Sequence, residues 1–362
     1  MKSSARNQEK THSRCEDGPA PIRVGMIGVN GFGEYRRETM RASGMFDLVV
    51  CCDRNEEKLR EVCEMEEAGA ALSFEAMLDV PGLEAVVIST GVDSHAAFAI
   101  AAMRRGLHVF VEKPLCSTVE EALEIHQVAG ETGCIFGSGH TNILHYALIG
   151  VAREWIEKGK LGKVAAFEQN SSHSGGLEIR PGDWRGIPGK NPGGMLMQCG
   201  VHALHMLQEL FGPVEGLTAM MRDDVHPATE TSDVANVLLR MQNGLLGTLN
   251  CYHVTAYVHE FRIFGTKGNL YVDTQDRRIW FQPRLRNERE ERVEIPVPQG
   301  NPEDRFANLS SWAQAIRHGG RPDPNLEDAI RAVVPVFAAQ LAAAEAREVR
   351  VSEIWNLNSS LD

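Results

Sequence analysis

The chain has 362 residues, enough for two domains of ordinary size. Its hydrophobic share of 43% and charged share of 24% are those of a globular protein, which sets aside disorder and repeat arrays. A net charge of −12, with no run of Lys and Arg, leaves no electrostatic footing for a nucleic-acid partner, because such a partner requires a basic surface.

Residues 1–20 are polar and lack the apolar stretch of a secretory signal, so they are expected to form a disordered tail. The first apolar run, 22–27, ends at Gly28, and a second, 46–52, ends at Asp53; both have the character of buried parallel strands. Between them, 35–42 suits a helix stopped by Gly44. A third strand over 85–89 leads to a helix capped by Ser94 and running to 105, then a fourth strand over 108–111. Strands alternating with helices predict an α/β, doubly wound parallel sheet. Thr118 with Glu121 forms a capping box for a helix reaching 129, and 134–137 supplies the strand that closes this unit.

Residues 133–152 carry no formal charge, yet His140, Thr141, Asn142 and His145 lie at their centre, which argues for a strand and a helix rather than a membrane span. After a helix over 151–157, strands are expected at 164–170, 217–221, 232–241, 245–251 and 258–264, mostly without intervening helices. Gly265-Thr266-Lys267-Gly268 is a turn between strands, and helices over 306–317 and 326–346 close the chain. The organisation predicted is a Rossmann domain over 21–142 and an α+β domain with a mainly antiparallel sheet over 143–362. The eight cysteines show no paired short spacing, so reduced thiols in a cytoplasmic enzyme are expected.

Gly28-Val29-Asn30-Gly31-Phe32-Gly33 stands between the first strand and the first helix, where a dinucleotide-binding turn belongs. Gly28 and Gly33 hold the outer positions of the usual glycine spacing and Asn30 the middle one; asparagine tolerates a left-handed backbone, with Gly31 assisting approach to the pyrophosphate. Asp53, 20 residues after Gly33, is placed to accept the ribose hydroxyls of NAD. Arg54 offers instead a partner for the 2′-phosphate of NADP, so both cofactors stay open; the bland alternative is a glycine turn beside a solvated acid.

Glu112-Lys113-Pro114 follows the fourth strand, so Lys113 is expected at the carboxyl edge of the sheet beside a bound nicotinamide. From there a lysine can hydrogen-bond a substrate oxygen and relay its proton. Taken alone, a lysine before a proline is an ordinary loop residue.

The segment Val86-Val87-Ile88-Ser89-Thr90, then His95, then Gly106-Leu107-His108-Val109-Phe110-Val111-Glu112-Lys113-Pro114-Leu115 resembles the Gfo/Idh/MocA oxidoreductases, and the likeness runs over 22–348. The resemblance implies a second domain with a large open sheet that mediates homo-dimer or homo-tetramer formation. It implies that Lys113 is catalytic and that Thr90, His95 and Glu112 lie at the cofactor's nicotinamide end. Gly193-Gly194-Met195-Leu196-Met197-Gln198-Cys199-Gly200-Val201-His202-Ala203-Leu204-His205 is similar to that family's glycine-rich entry into a substrate-binding helix. His202 matches its histidine, while Gln198 and His205 stand where acids are usual. Gln198 can bind a hydroxyl without taking its proton, which shifts acid/base work to Lys113 and His202.

His202 and His205 share a helix face, but with no acid or cysteine at ligand spacing no metal is expected. His205 reads equally as a substrate contact or as a satisfied core histidine. Trp184 and Arg185, in a Gly/Pro-rich loop, are candidates to cover a sugar ring and to bind hydroxyls or a carboxylate, or to form a structural stacking pair. Over 139–146 the family commonly has an arginine followed by an aromatic, whereas this chain has Asn142, Leu144 and His145. The activity expected is NAD(P)-dependent hydride transfer at a secondary alcohol of a sugar, cyclitol or related polyol, with Lys113 and His202 as acid/base pair. The alternatives are an enzyme that retains NAD and uses transient oxidation for elimination or glycoside cleavage, and a non-catalytic dinucleotide-binding regulator.

Overall fold

The computed structural model describes residues 20–140, 147–284, 291–300 and 305–355. Residues 1–19 of the expected tail, and Asn142, Leu144 and His145, lie outside the described residues. The first unit runs β1 (Ile22–Ile27), α1 (Phe32–Ser43), β2 (Phe46–Cys52), α2 (Glu56–Glu66), β3 (Gly69–Ala71), α3 (Phe74–Leu78), β4 (Ala85–Ile88), α4 (Val92–Arg104), β5 (His108–Val111), α5 (Val119–Thr132) and β6 (Phe136–Ser138). Its six strands are parallel in the order β3-β2-β1-β4-β5-β6. Helices cover both faces, so β4 is buried at every position and its sequence, AVVI, is apolar without alternation.

Local chemistry sets most of the boundaries. The capping box of Thr118 and Glu121 starts α5, and Gly44, left-handed at φ 66°, stops α1. Ser94 does not cap α4: the helix begins two residues earlier at Val92, and the Ser94 hydroxyl donates to the Gly91 carbonyl. The elements over 56–78 carry ordinary signals, among them an Asn55 cap that accepts from the Lys58 amide at 3.0 Å.

The second unit continues with α6 (Ala147–Glu157), β7 (Val164–Ser172), a π turn (Leu196–Gly200), α7 (Val201–Phe211), β8 (Val214–Arg222), β9 (Val234–Met241), β10 (Leu246–Tyr252), β11 (Val258–Gly265), β12 (Gly268–Asp273), β13 (Arg278–Pro283) and β14 (Val293–Glu294). It ends with α8 (Ala307–His318), α9 (Leu326–Glu345), β15 (Val349–Arg350) and α10 (Val351–Ile354). The nine strands order β14-β13-β12-β11-β7-β10-β9-β8-β15, and every described pairing is antiparallel except β7 with β10. That parallel pair brings the carboxyl ends of two strands to one edge.

α7 and α9 pack their apolar residues on one face of this sheet, and β9 alternates buried and exposed positions accordingly. The expectation that both closing helices complete the second unit does not hold for α8. Leu309, Trp312 and Ala313 of α8 are buried with Ile22, Val24, Met26 and Phe110 of the first sheet. The Trp312 ring lies 5.6 Å from Phe46 and 5.4 Å from Phe110, and its indole N–H donates to the Ile135 carbonyl at 3.3 Å. Gly137 is required beneath it, since a Cβ there would sit 2.8 Å from the indole. No helix among the described residues is long and apolar enough to cross a membrane.

Trp312→Ala is expected to cost about 3–5 kcal/mol of stability by leaving a cavity under the first sheet. Urea unfolding of the full chain measures it, and a loss below about 1 kcal/mol would show that α8 is not anchored through this ring.

Candidate active site

The nucleotide turn is shaped by close approach. A Cβ on Gly28 would fall 2.3 Å from the Ser89 carbonyl oxygen, and one on Gly33 would fall 2.2 Å from the Gly28 carbonyl oxygen. Gly28 and Gly31 have positive φ, 83° and 57°. Asn30 does not adopt the left-handed backbone expected of it; Gly31 supplies the reversal, while the Asn30 carbonyl accepts from the Gly33 amide. No side chain caps the start of α1; its Gly33 and Glu34 amides bond the Asn30 and Gly31 carbonyls, and the positive end of the helix lies at the turn, where a pyrophosphate is favoured. Phe32, half exposed, stands at this helix start against Tyr35.

Asp53 leaves β2 at the same edge. Its carboxylate accepts from the Val29 amide at 2.9 Å, which ties the acid to the glycine turn, and from the Asn55 amide at 2.9 Å. A carboxylate has room for further donors, so the residues present fit a dinucleotide with its ribose on Asp53. Arg54 points outward and is exposed.

Two residues assigned to the cofactor have other tasks. Glu112 is buried and paired with Arg36 of α1, its Oε1 accepting from Nε at 2.7 Å and from a terminal guanidinium nitrogen at 2.6 Å. Arg36 also donates to Asn308 of α8 at 3.3 Å and lies 4.8 Å over the Phe110 ring; Asn308 donates onward to the His140 carbonyl at 3.2 Å. His95 is buried with Nδ1 2.8 Å from the Pro114 carbonyl and Nε2 3.1 Å from the Thr90 carbonyl. It therefore fastens the loop after β5 to the loop after β4, while the Thr90 hydroxyl meets Ser94 at 2.7 Å.

Lys113 follows directly and reaches across to the second unit, where Nζ donates to the Gln198 carbonyl in the π turn at 3.1 Å. Around it stand histidines. The His140 ring packs edge-on against His202 and His205, with centroids 5.8 and 5.5 Å away, and its Nδ1 lies 2.8 Å from the Ser138 hydroxyl. Burial pushes His140 and His202 well below the usual imidazole range; Lys113 is the next cause for His202, and His205 and then Lys113 for His140. Both rings are therefore neutral at pH 7. Nε2 of His140, Nδ1 of His202 and the amide nitrogen of Gln198 are buried without a partner.

A second group is absent from the sequence reading. His173 follows β7 and His253 follows β10, and because those strands are parallel the two rings meet edge-on at 5.0 Å. His173 Nδ1 accepts from the Gly175 amide at 2.9 Å, so the neutral ring carries its proton on Nε2, which donates to Cys199 Sγ at 3.1 Å. Burial raises the Cys199 thiol, against the pull of Lys113, so it stays protonated. Histidines immediately after two strands were the only available signal; which strands would pair was not visible.

The remaining expectations divide. Arg185 is half-buried and its guanidinium is taken by Asp183, at 2.6 Å for the shortest contact, so it is not free to clamp a ligand with its whole fork. Trp184 is half-buried beside it. His205 is buried behind His140 with both nitrogens unpartnered. Contrary to the reading that no acid stands at ligand spacing, Glu209 one turn along and Asp328 of α9 each bring an oxygen near it, these ligand atoms all lying within 4.8 Å of one another. Arg331 bridges both carboxylates and neutralises one of their two charges.

A dinucleotide cradle at the carboxyl edge of a parallel sheet, with a lysine delivered beside histidines of a second unit, defines a two-part nicotinamide-dependent oxidoreductase. Residues 22–140 match the model of the oxidoreductase family with NAD-binding Rossmann fold, and residues 150–271 match the GFO/IDH/MocA C-terminal domain. The chain belongs to the GFO/IDH/MocA oxidoreductase family. It is similar to myo-inositol 2-dehydrogenase of Thermotoga maritima (23% identical, covering 92% of this chain and 99% of that one). It is also similar to dTDP-3,4-didehydro-2,6-dideoxy-alpha-D-glucose 3-reductase of Streptomyces antibioticus (29% identical, 86% and 94%). Among solved structures, levoglucosan dehydrogenase in complex with NADH and levoglucosan shares the fold with a TM-score of 0.81 at 20% identity, over 91% of this chain and 99% of that one.

Gly33→Ala is expected to weaken NADH binding at least about tenfold by forcing the turn open, as a fluorescence titration would report. Burial also holds His253 down to about 4 and lowers His173 and His205. Below about pH 6.5 the unfolded chain takes up these protons before the folded one, so stability falls with pH from about 6.5 towards 4. Calorimetry should find a lower Tm at pH 5 than at pH 7.5; a flat or rising Tm on acidification would contradict the assignment of buried neutral histidines.

Proposed function

We propose that this chain transfers hydride between NAD and a secondary alcohol of a sugar, cyclitol or related polyol, with Lys113 and His202 as the acid/base pair. The observation that carries the reading is the Lys113 ammonium held on the Gln198 carbonyl, between the nucleotide edge and the helix that bears His202. The relatives named for inositol and deoxysugar chemistry support the substrate class. The anionic Asp53 carboxylate at the ribose position supports NAD over NADP, whose 2′-phosphate it would repel.

When bound, the nicotinamide accepts or supplies the hydride. In oxidation the carbinol C–H bond breaks with its electron pair leaving as hydride, while the Lys113 ammonium polarises the oxygen and the hydroxyl proton passes to the neutral His202. Reduction runs these steps backwards, His202 returning the proton to the developing alkoxide held by Lys113. Gln198 orients a hydroxyl through its amide and takes no proton.

Association through the second sheet is part of the same reading. Met220 pairs with Asn236, Leu238 with Thr218 and Leu246 with Arg240, which puts all three apolar residues on the sheet face away from α7 and α9; Met220 is 80% exposed and Leu238 50%. The free cysteines among the described residues are consistent with a cytoplasmic location.

A screen of polyols and aldoses with NAD and NADP in parallel, followed by absorbance of the reduced cofactor, tests substrate class and cofactor together. Lys113→Met should lower kcat by about 10²–10⁴ while NADH still binds; full turnover by that variant would remove Lys113 from the chemistry.

A further inference from the structure

The Lys113 ammonium is only partly satisfied. It has three donors, of which one is spent on the neutral Gln198 carbonyl, and it makes no ion pair among the described residues. The acids of the surroundings are each committed elsewhere: Glu112 to Arg36, Asp183 to Arg185, and Asp328 and Glu209 to Arg331 on the far side of His205. Close to Lys113, the Gln198 amide nitrogen, His202 Nδ1 and His140 Nε2 are buried without a partner. An ammonium short of acceptors and a buried amide N–H with none, drawn partly out of water, are costly until a ligand supplies acceptors and a countercharge.

Resting on the reading above, we infer that the substrate is a polyhydroxy acid of the aldonate or uronate class, its carboxylate bound by Lys113 and the Gln198 side-chain amide. A carboxylate is acceptor-only when ionised, which matches the free donors of Lys113 and the Gln198 amide, whereas a neutral polyol brings hydroxyl oxygens but no charge. A single negative charge suits a single lysine. A phosphate, carrying nearly two, would call for an arginine fork, and Arg185 is held by Asp183. The remaining Lys113 donor stays available for the oxygen at the reacting carbon. Glutamine at 198 is then a selective choice, because a carboxylate side chain there would repel the ligand and pair with Lys113 itself.

The test uses the full chain with matched neutral and acidic compounds, galactose against galacturonate and glucose against gluconate, monitored through reduction of NAD. The acid of at least one pair should exceed its neutral partner by about 100-fold in kcat/KM, the size expected for a close charge pair at intermediate dielectric. Gln198→Asp should erode that preference at least about tenfold, chiefly through KM, with NADH affinity unchanged. Neutral members used as well as or better than the acids would overturn the inference, as would a preference untouched by Gln198→Asp. Thermal shift of the NADH-loaded protein by the same compounds is the second measurement. If nothing is turned over, stabilisation by the acids alone upholds the anion site while the polyol reading fails, and equal or absent stabilisation overturns the anion site itself.

Discussion

The buried ion pair between Arg36 and Glu112 is the constraint on which the rest of the site depends. Two charges taken out of water are tolerated only when their remaining valences are met, and here Arg36 also lies over Phe110 and bonds Asn308, so α1, β5 and α8 converge on one guanidinium. Losing one partner of such a pair leaves an unpaired buried charge, which typically costs about 3–5 kcal/mol. Its functional effect is geometric. Glu112 cannot move, so the residue after it leaves β5 in one direction, and that residue is Lys113. Gly139 contributes by yielding space, since a Cβ there would fall 2.4 Å from the Glu112 carboxylate.

His95 performs a companion task from the other side: its buried ring sits between the Pro114 and Thr90 carbonyls, donating to one of them, and so locates the loops after β5 and β4 relative to each other. Lys113 then bridges the units through the Gln198 carbonyl. The π turn that presents this carbonyl belongs to the start of the helix bearing His202 and His205, so a distortion in one helix aligns the lysine and the histidines. π turns inside helices recur at functional sites because they free backbone groups from the regular ladder.

The histidines form an environment rather than a set of independent groups. Burial lowers the pKa of them all, and Lys113 further discourages His140, His173 and His202 from gaining a proton. The Lys113 ammonium therefore stands beside uncharged rings, where its field is less screened than in water. In the loop carrying Asp183 and Arg185, those two charges pair with each other. The loop is tied back to the second sheet, where the Arg185 carbonyl accepts from Asn191 at 2.8 Å and Thr231 at 2.9 Å, and it reaches the first unit through Lys190 and Asp93 at 3.8 Å.

What the sequence determined by itself was local in origin. Glycine spacing between a strand and a helix, an acid at the end of the next strand, a capping box and a lysine at a strand terminus are each defined within a few residues. The parallel sheet, the mainly antiparallel second sheet and the positions of Asp53, Lys113 and His202 were legible for that reason. The tertiary structure decided everything that depends on which distant residues meet. Glu112 and His95 lie in the motif that looked like cofactor contact, yet Arg36 and the two carbonyls turn them inward. His173 and His253 are 80 residues apart and meet only because β7 and β10 pair in parallel. Trp312 and Asn308, late in the chain, serve the first sheet because that sheet leaves a flank that its own helices do not cover. Spacing along a chain specifies backbone conformation, whereas the partners of a buried charge or ring are chosen by packing, and packing is not a local property.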